Sequence, residues 1–294
     1  MSRLLAGLLL WAFPALHAQT LTGAIDIHIH PDPDSTPRSI DALALARLAR
    51  DRGLRGIVIK NHFESTAGLA WLARQHALGI EVFGGIALNR PVGGLNPAAI
   101  ENMARMKGGY GRIVWMPTFD AENQVRRGKE PRPFVSISRD GRLLPETLQV
   151  LDLIARHKLT LATGHSSAEE NLLLVREARA RGIQRIVLSH ASLPPVAMTL
   201  GQRQQAAAQG AFVEFCHNAL VGPQPAATIQ DYARVIRGVG PEHCIVSSDH
   251  GRAGLSLPPD GLLAFLRALR QQGFSQAEID RMAKTNPARL LGLE

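Results

Sequence analysis

Seven histidines and one aspartate carry most of the chemical information in this sequence. His28, His30, His62, His165, His190, His217 and His250 each end, or directly follow, a short apolar run, and so does Asp249. Of the 11 histidines, His17 lies in the amino-terminal segment. His76, His157 and His243 fall in helix-like or connecting stretches, where a surface position is expected. A lone histidine at the end of a strand is ordinarily a packing or surface residue. Several at the same end of separate strands are harder to explain that way. Clustered imidazoles repel one another when protonated and need partners when buried, and a shared cation meets both demands. His28 and His30 are two residues apart, so on a strand both side chains leave on one face, with Asp26 deeper on the same face. Imidazole together with carboxylate suits zinc and neighbouring divalent metals. No cysteine is expected near this set, which favours a catalytic centre over a structural one.

Further polar residues flank the same positions. The second apolar run leads into Lys60-Asn61-His62-Phe63-Glu64, and His217-Asn218 follows the seventh. Lys60, His62, His217 and Asn218 are candidates for orienting a substrate. Glu64 and Asp32 fall in adjoining loops, and His250, next to Asp249, is expected to support the site rather than ligate. Ser166, Ser167 and Ser192 lack the strained turn that activates a serine nucleophile.

The elements that would position these residues alternate regularly. Buried strands rich in Ile and Val are expected at 25–30, 56–62, 81–88, 112–118, 159–165, 185–190, 211–217 and 244–249. Helices are expected at 38–52, 67–78, 97–107, 145–157, 169–181, 199–209, 227–237 and 260–272. A final helix over 275–291 follows the capping-box sequence Ser275-Gln276-Ala277-Glu278. Eight strands alternating with eight helices in about 250 residues predict a single-domain (β/α)8 TIM barrel, α/β in class, with its chemistry at the carboxyl ends of the strands. A doubly wound sheet fits less well, because no G-x-G-x-x-G follows the first strand. The long connection 119–144 carries Arg126, Arg127, Lys129, Arg132 and Arg139. It reads either as a lid or as a solvated excursion.

The ordered set His28-x-His30, Thr163-Gly164-His165, Leu188-Ser189-His190, Ser248-Asp249 and the terminal Thr285-Asn286-Pro287-Ala288-Arg289-Leu290-Leu291-Gly292-Leu293 resembles the amidohydrolase superfamily of metal-dependent hydrolases, over residues 25 to 293. The resemblance implies a divalent metal, zinc foremost, as one or two ions held by His28, His30, His165, His190 and Asp249. It also implies that Asp249 takes the proton of the attacking water. One departure stands out. Binuclear members often carry a carboxylated lysine on the fourth strand, and here that strand ends Val114-Trp115-Met116-Pro117-Thr118. Lys60 is the nearest substitute. It reads as a carbamate bridging two metals, as an ammonium holding a substrate carboxylate or phosphate, or as a lysine snorkelling to the rim.

The remaining sequence narrows the function class. The chain has 294 residues, 45% hydrophobic and 20% charged, with a formal charge of +8. The basic residues are scattered and aromatics make up only 5%, which argues against nucleic-acid binding. Residues 1–18 form a short basic start, an apolar run and a small residue at Ala18. They read as a signal peptide, so residues 19–294 are expected as an exported enzyme, periplasmic or secreted. No later stretch would cross a bilayer. Cys216 and Cys244 are expected at opposite ends of neighbouring strands, too far apart to bridge. The partner is read as a small, acidic molecule, with a homo-oligomer compatible. The leading activity is hydrolysis of an amide, lactone or ester, with Lys60 and the arginines after the fourth strand serving an acidic substrate. A mononuclear decarboxylase or lyase on the same barrel, and an exported binding protein without turnover, are the alternatives.

Overall fold

A computed structural model describes residues 19–128 and 131–294. The signal-peptide reading therefore lies outside the described residues, as do Lys129 and Glu130 of the long connection. Eight parallel strands run in chain order around one sheet: Ile25–Ile29, Gly56–Ile59, Glu81–Ala87, Gly111–Trp115, Thr160–Ala162, Ile186–Leu188, Phe212–Cys216 and Cys244–Ser247. The sheet curls until the first and eighth strands meet. Asp249 N–H donates to the His28 carbonyl, and His30 N–H to that of His250, both at 2.9 Å. Helices alternate with the strands, so the barrel architecture expected from the apolar rhythm is the one observed. No helix of the described residues is long and apolar enough to cross a membrane.

The strands are largely apolar because they are buried on both sides. Val58, Phe83, Ile113, Trp115, Ala162, Val187 and Ile245, from six strands, form one buried cluster. Side chains from strands across the barrel can touch only through its interior. A larger cluster joins the outer strand faces, such as Ile59, Val82, Val114, Leu161 and Leu188, to apolar helix faces. Helix starts follow local chemistry. Asp41 accepts from the amides of Leu43 and Ala44, and Ser167, Thr199 and Ser275 close capping boxes with Glu170, Gln202 and Glu278. Each such cap contributes about 1 kcal/mol by satisfying amides that have no partner in the first turn.

Two expectations need correction. The final helix is not continuous: Gln276–Asp280 and Asn286–Leu291 are separated by a wider turn over Arg281–Thr285. The connection 119–144 is also not bare loop. It holds a helix over Glu122–Arg127 and a small hairpin pairing Ser138–Arg139 with Arg142–Leu143. The two cysteines are free and buried. Cys216 pairs in register with Ser247, and Cys244 with Val213, which puts the cysteines at opposite ends of their strands as expected.

Candidate metal centre

The strand ends at the carboxyl rim do not simply stop; several turn sharply. Gly164, His190 and Asp249 take φ values of 62°, 51° and 50°. For His190 and Asp249 this left-handed conformation is uncommon outside glycine and marks a position where tertiary contacts override local preference. Gly251 has φ 133°, and a Cβ there would collide with the His30 carbonyl. Only glycine lets the chain leave the eighth strand so close to the first.

These turns aim the polar groups at one point. Asp249 Oδ1 lies 3.1 Å from His28 Nε2 and 3.2 Å from His30 Nε2, and Oδ2 lies 3.8 Å from His190 Nε2. His28, His30 and Asp249 offer three ligand atoms within 4.8 Å of one another. Donors held at about 2.0–2.1 Å by one tetrahedral ion lie roughly 3.3 Å apart, close to the two separations seen. Borderline imidazole nitrogens plus a carboxylate oxygen form a donor set that zinc and similar cations accept. On chemistry and spacing, these residues fit a divalent cation.

The other expected residues surround this triad. His190 lies beside His28 and His165, with ring centroids 5.2 and 5.3 Å away. His165 reaches outward to Gln124 Oε1 at 3.1 Å and is not one of the three converging donors. His62 stacks on His30 at 4.7 Å and meets Thr118 Oγ1 at 2.9 Å. Asn218 Nδ2 donates to Asp249 Oδ2 at 3.4 Å. Lys60 is 1% exposed, so the snorkelling reading fails. Its Nζ stands 3.0 Å from His28 Nε2 and 5.3 Å above the Trp115 ring. His217 turns away from the triad: its Nδ1 meets His250 Nε2 at 3.0 Å, and His250 Nδ1 donates to the Ser256 carbonyl.

Three features were not anticipated. Glu214, on the seventh strand, reaches His28 Nδ1 at 3.1 Å from below. Cys216 does approach the site: its sulfur lies within 4.8 Å of ligand atoms of His28 and His190. The expectation of no nearby cysteine fails because Cys216, two residues after Glu214 on the strand, leaves on the same face. Finally, three of the arginines after the fourth strand pair within their own segment. Arg126 pairs with Glu122, Arg127 with Asn123 and Arg132 with Asp120. The arginines that line the cavity over the triad are Arg38 and Arg252. That cavity, about 360 Å³, adjoins a wider one of about 720 Å³, and both share His165, His190, Asn218, Asp249 and Arg252.

Burial sets the charges. It draws His30 down to about 4 and takes His62, His165 and His190 below the ordinary imidazole range, with Lys60 adding repulsion at each. Burial also lowers Lys60 and pushes Asp26 up to about 7. Burial alone would raise Asp249, but His28, His30 and His190 outweigh it and hold the carboxylate well below its usual range. His30 should therefore cost metal-free protein stability in mild acid. The unfolded chain takes up a proton at His30 near its ordinary 6.5, and the folded chain only near 4. As pH falls through that window, stability falls by up to about 3 kcal/mol from this residue. Asp26, raised to about 7, gains stability over the same window. The His30 share is therefore read by urea denaturation of metal-free wild type and His30→Asn at pH 7 and pH 5; an equal change in both proteins would refute the neutral, buried state of His30.

The sequence profile of DUF6282, a family of unknown function, matches residues 23–214. This chain belongs to that family. No curated protein matches the sequence. Solved structures supply the fold. An amidohydrolase from Pseudomonas aeruginosa is 15% identical with a TM-score of 0.60, covering 91% of this chain and 95% of that one. The organophosphorus hydrolase from Deinococcus radiodurans is 16% identical with a TM-score of 0.59, covering 94% of each. A lactonase template engineered for organophosphate hydrolysis is 18% identical with a TM-score of 0.59, covering 95% and 98%. The DUF6282 chain thus has the barrel of the amidohydrolases, as its strand-end motifs imply.

Proposed function

We propose that this protein is a hydrolase that cleaves an ester, lactone or amide bond in a small anionic molecule with the help of one divalent cation, zinc foremost. The observation that carries this is the approach of His28 Nε2 and His30 Nε2 to Asp249 Oδ1 at 3.1 and 3.2 Å, at the rim where barrels of this kind do their chemistry. The hydrolases among its fold neighbours support the reading. Held by His28, His30 and Asp249, the cation would supply Lewis acidity and lower the pKa of bound water to about 7.

The chain's own groups supply the rest. Asp249 stays ionised, and its Oδ2, facing His190 and Asn218, is the atom to accept a proton from water. Neutral His62 can donate to a substrate oxygen without bringing a like charge to the centre, while neutral His165, whose Nδ1 donates to Gln124 Oε1, keeps an Nε2 lone pair that can accept a hydrogen bond. Lys60 Nζ stands 3.0 Å from His28 Nε2; an ammonium there would repel the cation, so the neutral amine that burial favours, or a carbamate, suits the centre, and the three converging donors describe one cation. Arg252 lines both cavities and has no carboxylate within ion-pair distance among the described residues, whereas Arg38 is held by Asp34 at 2.6 Å. Arg252 is the residue to receive a substrate carboxylate or phosphate. Arg252→Met should raise KM for an anionic substrate about ten- to a hundredfold, the worth of one charge-assisted hydrogen bond, with kcat unchanged. Equal KM values for wild type and variant would remove the anionic preference. From sequence alone, we also propose that the protein is exported, to the periplasm or beyond.

Elemental analysis of purified protein, followed by a screen of lactones, esters and N-acyl compounds, tests the proposal. One ion per chain and turnover lost on chelation are expected. Protein that takes up no divalent cation even when supplied with zinc would end it. The lyase reading is favoured by one observation, the same single-cation donor set without a fourth-strand lysine. Carbon dioxide released from a carboxylated substrate would select it.

A further inference from the structure

Glu214 is the one acidic residue of the apolar strand Phe212–Cys216, and it is 3% exposed. A carboxylate so deep in a barrel is costly without partners. Its partners are specific: Oε1 lies 3.1 Å from His28 Nδ1 and accepts from Ser247 Oγ at 2.8 Å. Carboxylates face both ring nitrogens, Glu214 at Nδ1 and Asp249 at Nε2; a cation shared by Nε2 and Asp249 takes the Nε2 lone pair, which leaves the proton on Nδ1 for Glu214 to accept. The other side of the ring agrees, because Lys60 Nζ stands 3.0 Å from Nε2 as a donor. His28 is thus held with its Nε2 lone pair turned to the rim, 3.1 Å from Asp249 Oδ1.

We propose that Glu214 is a positioning residue for the metal centre: it fixes the tautomer and ring orientation of His28 and supplies a second negative charge beneath the cation. The role rests on the single-cation reading above. Partners of ligating histidines, when removed, cost metal affinity rather than fold.

The test uses purified wild type, Glu214→Ala and Glu214→Gln, with zinc affinity read by chelator competition and the His28 tautomer by nitrogen-15 spectra of metal-free protein. Glu214→Ala should weaken zinc binding about 10–100-fold and lose the Nδ1–H preference. Glu214→Gln can still accept through its amide oxygen, so it should keep the tautomer and recover most of the affinity, remaining several-fold weaker for want of the charge. Unchanged zinc affinity and an unchanged Nδ1–H signal in Glu214→Ala would overturn the proposal. If Glu214→Ala does not fold, Glu214→Gln decides, since wild-type affinity there overturns it. Should wild type bind no zinc, the hydrolase reading fails while the tautomer spectra still judge Glu214. Loss of Nδ1–H in Glu214→Ala then supports it, and retention overturns it.

Discussion

Asp249→Asn is expected to lower turnover of whichever substrate the screen identifies by about 10²–10⁴-fold, the range lost when a positioned proton acceptor is removed. The substitution keeps the shape of the side chain, so folding should survive. It removes the charge that His28, His30 and His190 surround, and it leaves an amide that cannot take a proton at neutral pH. In one of its two orientations the amide N–H₂ also points at the lone pair of His28 or His30, competing with a cation for the same atom. Steady-state kinetics beside a thermal melt of both proteins measure the effect. Turnover within twofold of wild type, with the fold intact, would exclude Asp249 from the chemistry and favour a barrel that only binds.

Trp115→Ala should show how far the centre depends on its floor. Trp115 is 2% exposed, sits in the interior cluster with Phe83 and Ile113, and lies 5.3 Å under Lys60 Nζ and 6.3 Å from the His28 ring. Truncating a buried aromatic of this size costs about 3–5 kcal/mol through lost burial and the cavity left behind. A domain of this size loses roughly 2–4 °C in melting temperature per kcal/mol. The cavity would open directly beneath two residues of the centre, so zinc affinity should fall together with stability. Trp115→Phe, which refills most of the space, should restore both in large part. A loss under about 1 kcal/mol for the alanine variant would show that the floor is packed by other side chains.

Much of this arrangement can be read from residue types alone. Runs such as Ile57-Val58-Ile59 and Ile245-Val246-Ser247 repeat with helix-length spacers, because strands buried on both faces must be apolar throughout. That rhythm implies a barrel, and a barrel implies that residues just past each strand share one rim. His28 and His30 follow from the two-residue period of a strand, and Asp249 from its place after the eighth. Each expected strand ran one to three residues long at its carboxyl end. There the chain leaves the ladder, and side chains such as His62, His165 and His217 belong to turns.

Other features needed the folded chain. Glu214 offers no pattern within Phe-Val-Glu-Phe-Cys; its meaning comes from His28, 186 residues away. The rim arginines were misassigned because charge content says which segments are basic, not which of them face inward. Arg126 and Arg132 are spent on Glu122 and Asp120, while Arg252 faces the cavity. His217 and His190 both close apolar runs in the sequence, yet one stacks on His250 and the other turns, at φ 51°, toward Asp249. The amino-acid order therefore determined the strands, their common rim and the kinds of donor atom gathered there, since these depend on local periodicity and residue chemistry. Which groups converge with Asp249, and which are diverted to other partners, was decided only by closure of the barrel. Closure puts the first strand against the eighth and sets each side chain by contacts that no local stretch of sequence contains.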